Sequence, residues 1–256
     1  MTLRIGLDLG STAIKMVLAE GGDTLWRAQT ATAPGQEFLA QRLIGEALRG
    51  LGLGPEQVGG VAVTGYGKKL FAAATKNIDE ITANAAGVFK LSGGRARTVI
   101  NIGGQDVKII ALTPDGRVDD FRMNDKCAAG TGRFFELAAR LLDAPLGDFG
   151  ALSRAAQNDL ELNSTCVVFA ESEIVSLLAR GAGREDVVRA LNVSVARRVA
   201  ALMGRARPEG PVYLDGGPAR NGGLVEALEE ELMAEVTVLE EPQFTVAFGA
   251  ALSLEE

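Results

Sequence analysis

A strand–turn–strand unit occurs twice in this chain, and this internal repeat constrains the fold more than any other feature of the sequence. The first copy lies in the first 20 residues and the second in residues 99–110. The copies align at an offset of 93, which places Asn101 on Asp8 and Lys108 on Lys15. Chance similarity between two β-hairpins is the alternative explanation. The repeat predicts two similar lobes, and strands that alternate with helices predict an α/β protein.

The rest of the sequence divides between these two lobes. We predict an N-terminal lobe over residues 1–94, a C-terminal lobe over residues 95–243 and a last helix, within residues 244–256, that packs back on the first lobe. Apolar residues at helical spacing predict further helices at residues 36–52, 79–91, 131–143, 148–157, 167–181, 184–205 and 221–233. Short apolar runs predict further strands at residues 58–64, 117–123, 212–215 and 236–239.

Composition excludes several classes of protein. The chain has 256 residues, with 26 basic and 33 acidic side chains and a net charge of −7. An acidic balance argues against nucleic acid as the main partner. No apolar run is long enough to cross a membrane, and the N-terminus lacks the pattern of a signal peptide. We therefore expect a cytoplasmic protein with no membrane partner.

Three glycine turns follow apolar strands and predict a phosphate-binding site. They occupy residues 10–12, 103–106 and 215–217. Glycine lets backbone N–H groups approach phosphate oxygens without a Cβ in the way. Ser11 and Thr12 add hydroxyl donors, and Lys15 can supply a positive charge. One such turn alone is typical of an ordinary hairpin, but three in this order indicate nucleotide binding.

Acidic and amide side chains beside the turns are candidates for the chemistry. Asp8 and Asp106 suit Mg²⁺, mostly through water. Gln105, Asp106 and Asp8 are the candidate catalytic residues, with Gln105 or Asp106 orienting the attacking water; turn capping is the alternative role. A Walker-type P-loop is excluded, because no G-x-x-x-x-G-K-[ST] run is present, and a dinucleotide Rossmann site is disfavoured for lack of G-x-G-x-x-G.

The two cysteines, Cys127 and Cys166, are the only ones in a chain that has no histidine. Each precedes a predicted helix, whose N-terminus favours a thiolate, and the thiolate is the metal ligand. An iron–sulfur cubane takes four cysteines, which a twofold dimer of this chain would supply. Buried structural thiols, a disulfide and a shared zinc site remain open as alternatives.

The three turns resemble the two phosphate motifs and the adenosine motif of the actin, Hsp70 and sugar-kinase ATPase superfamily. More narrowly, the chain resembles the ATPase activators of 2-hydroxyacyl-CoA dehydratases, which are grouped with the ATPase subunits of benzoyl-CoA reductase. The matching stretches span nearly the whole chain and are residues 10–15, 64–67, 102–108, 123–134, 164–173 and 216–217. The resemblance implies two duplicated actin-like (ribonuclease H-like) lobes with a nucleotide cleft between them.

The resemblance also implies the cofactors. It implies a homodimer with one [4Fe–4S] cluster held by Cys127 and Cys166 of both subunits, and MgATP or MgADP in each subunit. Nucleotide contacts are expected from the turns and from neighbouring motif residues: Gly10, Ser11, Thr12, Ala13, Lys15, Gly103, Gly104, Gln105, Gly130, Thr131, Gly132, Gly216, Gly217 and Gln243.

The function implied by the resemblance is ATP-driven delivery of a low-potential electron. The acceptor would be an iron–sulfur enzyme such as a 2-hydroxyacyl-CoA dehydratase, and the reductant a ferredoxin or flavodoxin. A double-cubane cluster protein or a benzoyl-CoA reductase-type system is the alternative acceptor. Two alternative hypotheses retain nucleotide binding without a cluster. One is a small-molecule kinase, for which no clear carboxylate base is present, and the other is a nucleotide-sensing module.

Overall fold

The computed structural model describes residues 2–124, 130–162, 167–204 and 208–255. The chain forms two compact units. One contains Met1–Ala96, Leu112–Asp119 and Gln243–Glu256, and the other contains Arg97–Ala111 and Asp120–Pro242. Within the described ranges, no helix combines the length and the apolar character needed to cross a membrane.

The order of the described strands and α-helices contains two runs of three consecutive strands, one at the start of the chain and one after the second helix. They are β1 (Leu3–Leu9), β2 (Ala13–Glu20), β3 (Asp23–Ala31), α1 (Gln36–Leu51), β4 (Val58–Thr64), β5 (Lys76–Asn77), α2 (Glu80–Leu91), β6 (Thr98–Ile102), β7 (Val107–Leu112), β8 (Val118–Asn124), α3 (Gly132–Leu141), α4 (Phe149–Ala155), α5 (Val167–Ala179), α6 (Arg184–Met203), β9 (Val212–Asp215), α7 (Gly222–Leu232), β10 (Val236–Val238) and α8 (Thr245–Leu252).

The two sheets share one topology. The first has the order β3-β2-β1-β4-β5 and the second the order β8-β7-β6-β9-β10. In the first sheet β1 pairs antiparallel with β2 and parallel with β4, and in the second β6 pairs antiparallel with β7 and parallel with β9. Every strand of one sheet therefore has a counterpart in the other, and the predicted α/β class is confirmed.

The pairing register confirms the sequence repeat. Asp8 lies opposite Lys15 across the β1–β2 pair, and Asn101 lies opposite Lys108 across the β6–β7 pair. Each position is shifted by the same 93 residues found in the sequence. Because a slip of one residue would turn every side chain to the other face, an identical register means that the repeat is structural and not a chance likeness.

Each sheet contributes to a hydrophobic core of its own unit. In the first unit, apolar side chains of β1 and β2 pack against Ala40, Leu43 and Ala47 of α1. In the second unit, Ile100 and Ile102 of β6 share a core with aromatic side chains of the helices. The central strands are buried on both faces, as β6 is along its whole length, which is typical of sheets covered by helices.

The last helix, α8, packs on β1 and α2 within the first unit. Glycines make this packing close. A Cβ added to Gly6 of β1 would lie 1.8 Å from the carbonyl oxygen of Ala247, and one added to Gly249 would lie 1.7 Å from that of Ala83. Since real Cβ atoms do not approach backbone so closely, these positions require glycine.

The predicted helices lie within two residues of the observed ones at each end. The third strand of the first sheet, β3, was not predicted. Its side chains alternate between exposed and half-buried, because it is an edge strand that touches the core only through residues such as Trp26 and Ala28. Strand β5, two residues long, was not predicted either.

Candidate functional site

The first glycine turn joins β1 to β2, and a partly buried ion pair lies beside it. The Nζ of Lys15 donates to Oδ2 of Asp8 at 2.8 Å, and the Asp8 side chain is 4% exposed. The carbonyl oxygen of Gly10 accepts a hydrogen bond from Oγ1 of Thr32 at 2.7 Å. Ser11, like Thr12 and Ala13, is half-buried in the turn. The hydroxyl of Thr32 thus anchors the turn through the Gly10 carbonyl, and the ammonium group of Lys15 is paired with Asp8.

The other carboxylate oxygen of Asp8 fits a role in holding a cation. Oδ1 of Asp8 is buried and forms no hydrogen bond with the described residues. A Cβ added to Gly65, which follows β4 with φ +86°, would lie 2.7 Å from this oxygen. An unsatisfied buried carboxylate oxygen carries a desolvation cost that a hydrated cation would relieve. Within the described ranges, no three Asp, Glu, His or Cys side chains form a group that could hold a metal ion.

The second glycine turn joins β6 to β7 and has two distinct faces. The amide of Gly103 donates to the carbonyl of Asp106 at 2.9 Å and closes the turn. The carbonyls of Gly103 and Gly104 accept from the amides of Gly132 and Arg133, the first two residues of α3, at 2.8 and 3.0 Å.

This hydrogen bonding fixes the direction of the remaining amides. A planar trans peptide points its C=O and the following N–H in opposite directions. With the carbonyls of Gly103 and Gly104 directed at α3, the amides of Gly104 and Gln105 point away from that helix. Neither donates to another described residue. Successive free amides of this kind form a concavity suited to an anion such as phosphate.

A second ion pair, which is buried, stands beside this turn. The Nζ of Lys108 donates to Oδ1 of Asp106 at 2.7 Å, with side-chain exposures of only 2% and 5%. A Cβ on Gly103 would lie 2.3 Å from the same Asp106 oxygen, so glycine is required next to the carboxylate. Lys108 was not among the predicted site residues, although the repeat that aligns it with Lys15 carried the signal.

The third turn follows β9, the parallel neighbour of β6. Asp215, at the end of β9, is fully buried and accepts a hydrogen bond from Nδ2 of Asn101 at 2.8 Å. Gly216 has φ +91°, and a Cβ there would lie 2.1 Å from the carbonyl oxygen of Ile102, whereas a Cβ on Gly217 would meet nothing within 4 Å. Since parallel strands end at one edge of a sheet, the second and third turns lie at the same edge.

The predicted residues around α3 lie at this edge too. Thr131 is fully buried, and its Oγ1 donates to the carbonyl of Gly104 at 3.0 Å. Gly130 is buried with φ +106°, and a Cβ on Gly132 would lie 3.1 Å from the Gly103 carbonyl oxygen. Gln105 is exposed at the turn. The structure therefore brings together the predicted residues of the second turn, of the third turn and of the start of α3.

Gln243 follows Pro242, whose carbonyl accepts a hydrogen bond from the amide of Gly216 in the third turn at 3.0 Å. Gln243 is buried in the first unit. Cys127 and Cys166 lie outside the described residues, and α5 begins at Val167, directly after Cys166.

A buried carboxylate fixes the chain ahead of the Cys166 run. Asp186 of α6 accepts hydrogen bonds from Nδ2 of Asn158 and from the amides of Asn158 and Gln157, at 2.8, 2.9 and 2.8 Å. The side-chain amide of Asn158, followed by the two backbone amides, holds the pKa of Asp186 below its ordinary value, with burial acting in the opposite direction. No motif in the sequence pointed to Asp186.

Comparison with known proteins identifies the family of the whole chain. The model of the BadF/BadG/BcrA/BcrD ATPase family matches residues 5–253. The 2-hydroxyisocaproyl-CoA dehydratase activator of Clostridioides difficile is 40% identical over 252 residues, which cover 97% of this chain and 93% of that protein. The (R)-2-hydroxyglutaryl-CoA dehydratase activating ATPase of Acidaminococcus fermentans is 38% identical over 250 residues, 97% of this chain and 95% of the relative.

A solved structure gives the same answer for the fold. The activator of the 2-hydroxyisocaproyl-CoA dehydratase from Clostridium difficile with bound ADPNP superposes with a TM-score of 0.91 at 39% identity, covering 98% of this chain and 94% of that one. The likeness extends over both sheets and confirms the two lobes predicted from the repeat and the actin-like fold implied by the family resemblance. Full-length agreement in sequence and fold shows that this chain belongs to the BadF/BadG/BcrA/BcrD family of ATPases.

Proposed function

We propose that this ATPase is an electron donor that couples ATP hydrolysis to the delivery of one electron to a partner iron–sulfur enzyme, such as a 2-hydroxyacyl-CoA dehydratase. One observation carries the proposal. The second turn offers its free amides on one face and is hydrogen-bonded on the other to the start of α3, the helix that follows the Cys127 run. The names of the relatives, which are activators of such dehydratases, support the choice of acceptor.

We expect the nucleotide to be held by residues of the three glycine turns and their neighbours. The amides of Gly104 and Gln105 suit the phosphates, and Lys15 can add charge. Oδ1 of Asp8, and Asp106 through water, would hold Mg²⁺, which neutralises phosphate charge when bound. Gln105, exposed at the turn, or Asp106 would orient the attacking water. Water would attack the γ-phosphate and ADP would leave, a reaction that depends chiefly on positioning of the reactants and on stabilisation of charge.

The electron-carrying site would be shared by two subunits. Cys127 and Cys166 provide two thiolate donors per chain, and a twofold dimer provides the four that a [4Fe–4S] cluster takes. The cluster supplies a one-electron redox centre when bound. The helices that begin after the two cysteines would direct their N-terminal dipoles toward the negative charge of the thiolates. A ferredoxin or flavodoxin would return the protein to its reduced state.

Coupling is tested by mixing the reduced protein with an acceptor and ATP, ADP or no nucleotide. We expect electron transfer with ATP alone, measured as reduction of the acceptor. The double variant Lys108→Met/Asp106→Asn, which leaves no unpaired buried charge, should keep its iron and lose the ATP-dependent electron transfer, because it weakens the positioning of magnesium and water. Equal transfer in all three mixtures would refute the proposal. Running a dehydratase beside a double-cubane protein and a benzoyl-CoA reductase-type enzyme identifies the class of acceptor.

Shared ligation is tested by iron and sulfide analysis of protein purified without air. About four iron per dimer are expected, and Cys127→Ala and Cys166→Ala should each remove them, since each change deletes two of four ligands. A monomer that holds its own iron would contradict the shared site.

Nucleotide placement is tested at the third turn. A side chain at Gly217 has open space in the protein, so Gly217→Val should leave stability unchanged and weaken ATP binding by occupying the space of the ligand. Gly216 is unsuitable for this purpose, because a Cβ there collides with the Ile102 carbonyl. Calorimetric titration with ATP measures the effect, and parent-like affinity in Gly217→Val would show that the third turn does not contact the nucleotide.

A further inference from the structure

Helix α3 begins in an unusual way. The residue before it is Thr131, a residue type that normally accepts a hydrogen bond from an amide of the first turn. Here the Thr131 side chain makes no such cap. Its hydroxyl donates instead to the carbonyl of Gly104 at 3.0 Å. The first two amides of the helix are satisfied by the carbonyls of Gly103 and Gly104, so the glycine turn itself caps α3.

The contact is buried and close enough to transmit a displacement. Thr131 is fully buried, so water does not compete for its hydroxyl. A Cβ on Gly132 would be in tight contact with the Gly103 carbonyl oxygen at 3.1 Å and the Gly104 Cα at 3.3 Å. Three hydrogen bonds within three consecutive residues therefore bind the turn to the start of α3.

We propose that Thr131 is a positioning residue that couples the second glycine turn to the Cys127 run. This inference rests on the proposed function and deepens it by naming the link. Thr131 lies four positions after Cys127 in the sequence and is hydrogen-bonded to the carbonyl of Gly104, whose peptide carries the Gln105 amide that we assign to phosphate binding. A rotation of that peptide when the γ-phosphate leaves moves the carbonyl and the Thr131 hydroxyl together. Nucleotide contact by Thr131 stays a prediction of the family resemblance, and the coupling role uses the hydrogen bond that its hydroxyl donates to the Gly104 carbonyl.

The first unit offers a matched control. Its turn is also held by a threonine hydroxyl, from Thr32 to the carbonyl of Gly10 at 2.7 Å. Thr32 directly follows β3, an edge strand of the first sheet, and has no cysteine in its neighbourhood of the sequence. Thr32→Val and Thr131→Val therefore remove the same kind of hydrogen bond from equivalent turns, and only the second cuts the proposed link.

The first test measures electrons delivered per ATP hydrolysed by anaerobically purified protein. Thr131→Val should lower this ratio about fivefold, the factor that corresponds to one neutral hydrogen bond, and Thr131→Ser should restore it. Thr32→Val should keep the parent ratio. A parent ratio in Thr131→Val, or an equal loss in Thr32→Val, overturns the coupling role of Thr131.

The second test does not depend on an acceptor. Amide hydrogen exchange of the peptide that covers the start of α3 is measured with and without a non-hydrolysable ATP analogue. We expect the analogue to slow exchange in the parent and in Thr32→Val, and to have a much smaller effect in Thr131→Val. An unchanged response in Thr131→Val refutes the link. If the parent transfers electrons without ATP dependence, the proposed function fails, and the exchange measurement still decides whether Thr131 connects the turn to α3.

Discussion

Replacing Lys108 with methionine should destabilise the second unit strongly. The Lys108–Asp106 pair is 2.7 Å long, and both side chains are almost fully buried. At an effective dielectric constant of about 20, the gross attraction at this separation is about 6 kcal/mol, much of it offset by desolvation of the two charges. Lys108→Met leaves the carboxylate buried without its cation, and loss of one partner of a buried pair costs about 3–5 kcal/mol.

The matched change in the first unit is Lys15→Met. That pair has nearly the same length, 2.8 Å, but the Lys15 side chain is 20% exposed. Water can therefore replace part of the lost interaction, and we expect a smaller loss of about 1–3 kcal/mol. Since distance and chemistry are alike, the difference between the two variants measures the effect of burial.

Urea unfolding without nucleotide or magnesium measures both losses. Trp26, the only tryptophan, lies in β3, so its fluorescence reports the first unit, whereas far-UV circular dichroism reports both. The double variant Lys108→Met/Asp106→Asn should recover much of the stability, because it removes the buried charge as well as its partner. The reasoning is refuted if Lys108→Met costs less than Lys15→Met, or if the double variant is less stable than the single one.

Two further changes test other parts of the structure. Asp186→Asn should lower stability at neutral pH and flatten its acid dependence. The folded pKa of Asp186 lies below its ordinary value of 3.8. The contribution of Asp186 to the free energy of unfolding is therefore complete above pH 3.8 and is lost as the pH falls through the depressed pKa. Urea titrations from about pH 7 to about 3 measure this, and an acid profile of Asp186→Asn like that of the parent would contradict it. Gly249→Ala should destabilise the first unit by about 1–3 kcal/mol through overpacking against Ala83, whereas Gly147→Ala, whose Cβ meets nothing within 4 Å, should have almost no effect in the same assay.

The sequence was sufficient for the features that depend on local pattern. The β1–β2 and β6–β7 hairpins were predictable because strand alternation and a constant offset of 93 fix both element type and register. Helices were predictable because their apolar faces recur at helical spacing. Strand β3 escaped prediction because an edge strand buries only part of one face, so that its side chains carry little apolar signal.

The site was only partly predictable, for a different reason. The glycine turns are local motifs, but the partners of Asp8, Asp106 and Thr131 depend on which groups the fold brings to one edge. Asn101 and Asp215 are 114 positions apart in the chain, and no local sequence pattern around either residue predicts their hydrogen bond. The burial of Lys108 is likewise a tertiary property, because a lysine in sequence is by default a surface residue.

The duplicated sheets have diverged at equivalent positions, and this divergence suggests different tasks. Where the first sheet pairs Asp8 with Thr64 on β1 and β4, the second pairs Asn101 with Asp215 on β6 and β9. The carboxylate of this pair therefore lies on β1 in the first sheet and on β9, the counterpart of β4, in the second. In the first unit it retains an oxygen without a partner among the described residues, suited to a cation. In the second it is bonded to an amide.

The carbonyls of the two glycine turns also have different hydrogen-bond partners. The first turn is bonded to the end of an edge strand through Thr32, and the second is bonded to the start of a helix through Thr131 and Gly132. A strand in a hydrogen-bonded sheet resists displacement, whereas a helix can shift as a rigid body between two packed arrangements. If the second turn moves with the nucleotide as proposed, its partner is a helix that can carry the movement onward, whereas the described partner of the first turn is the end of a sheet strand. The duplicated hairpins would then supply one turn anchored to a strand and one anchored to a helix.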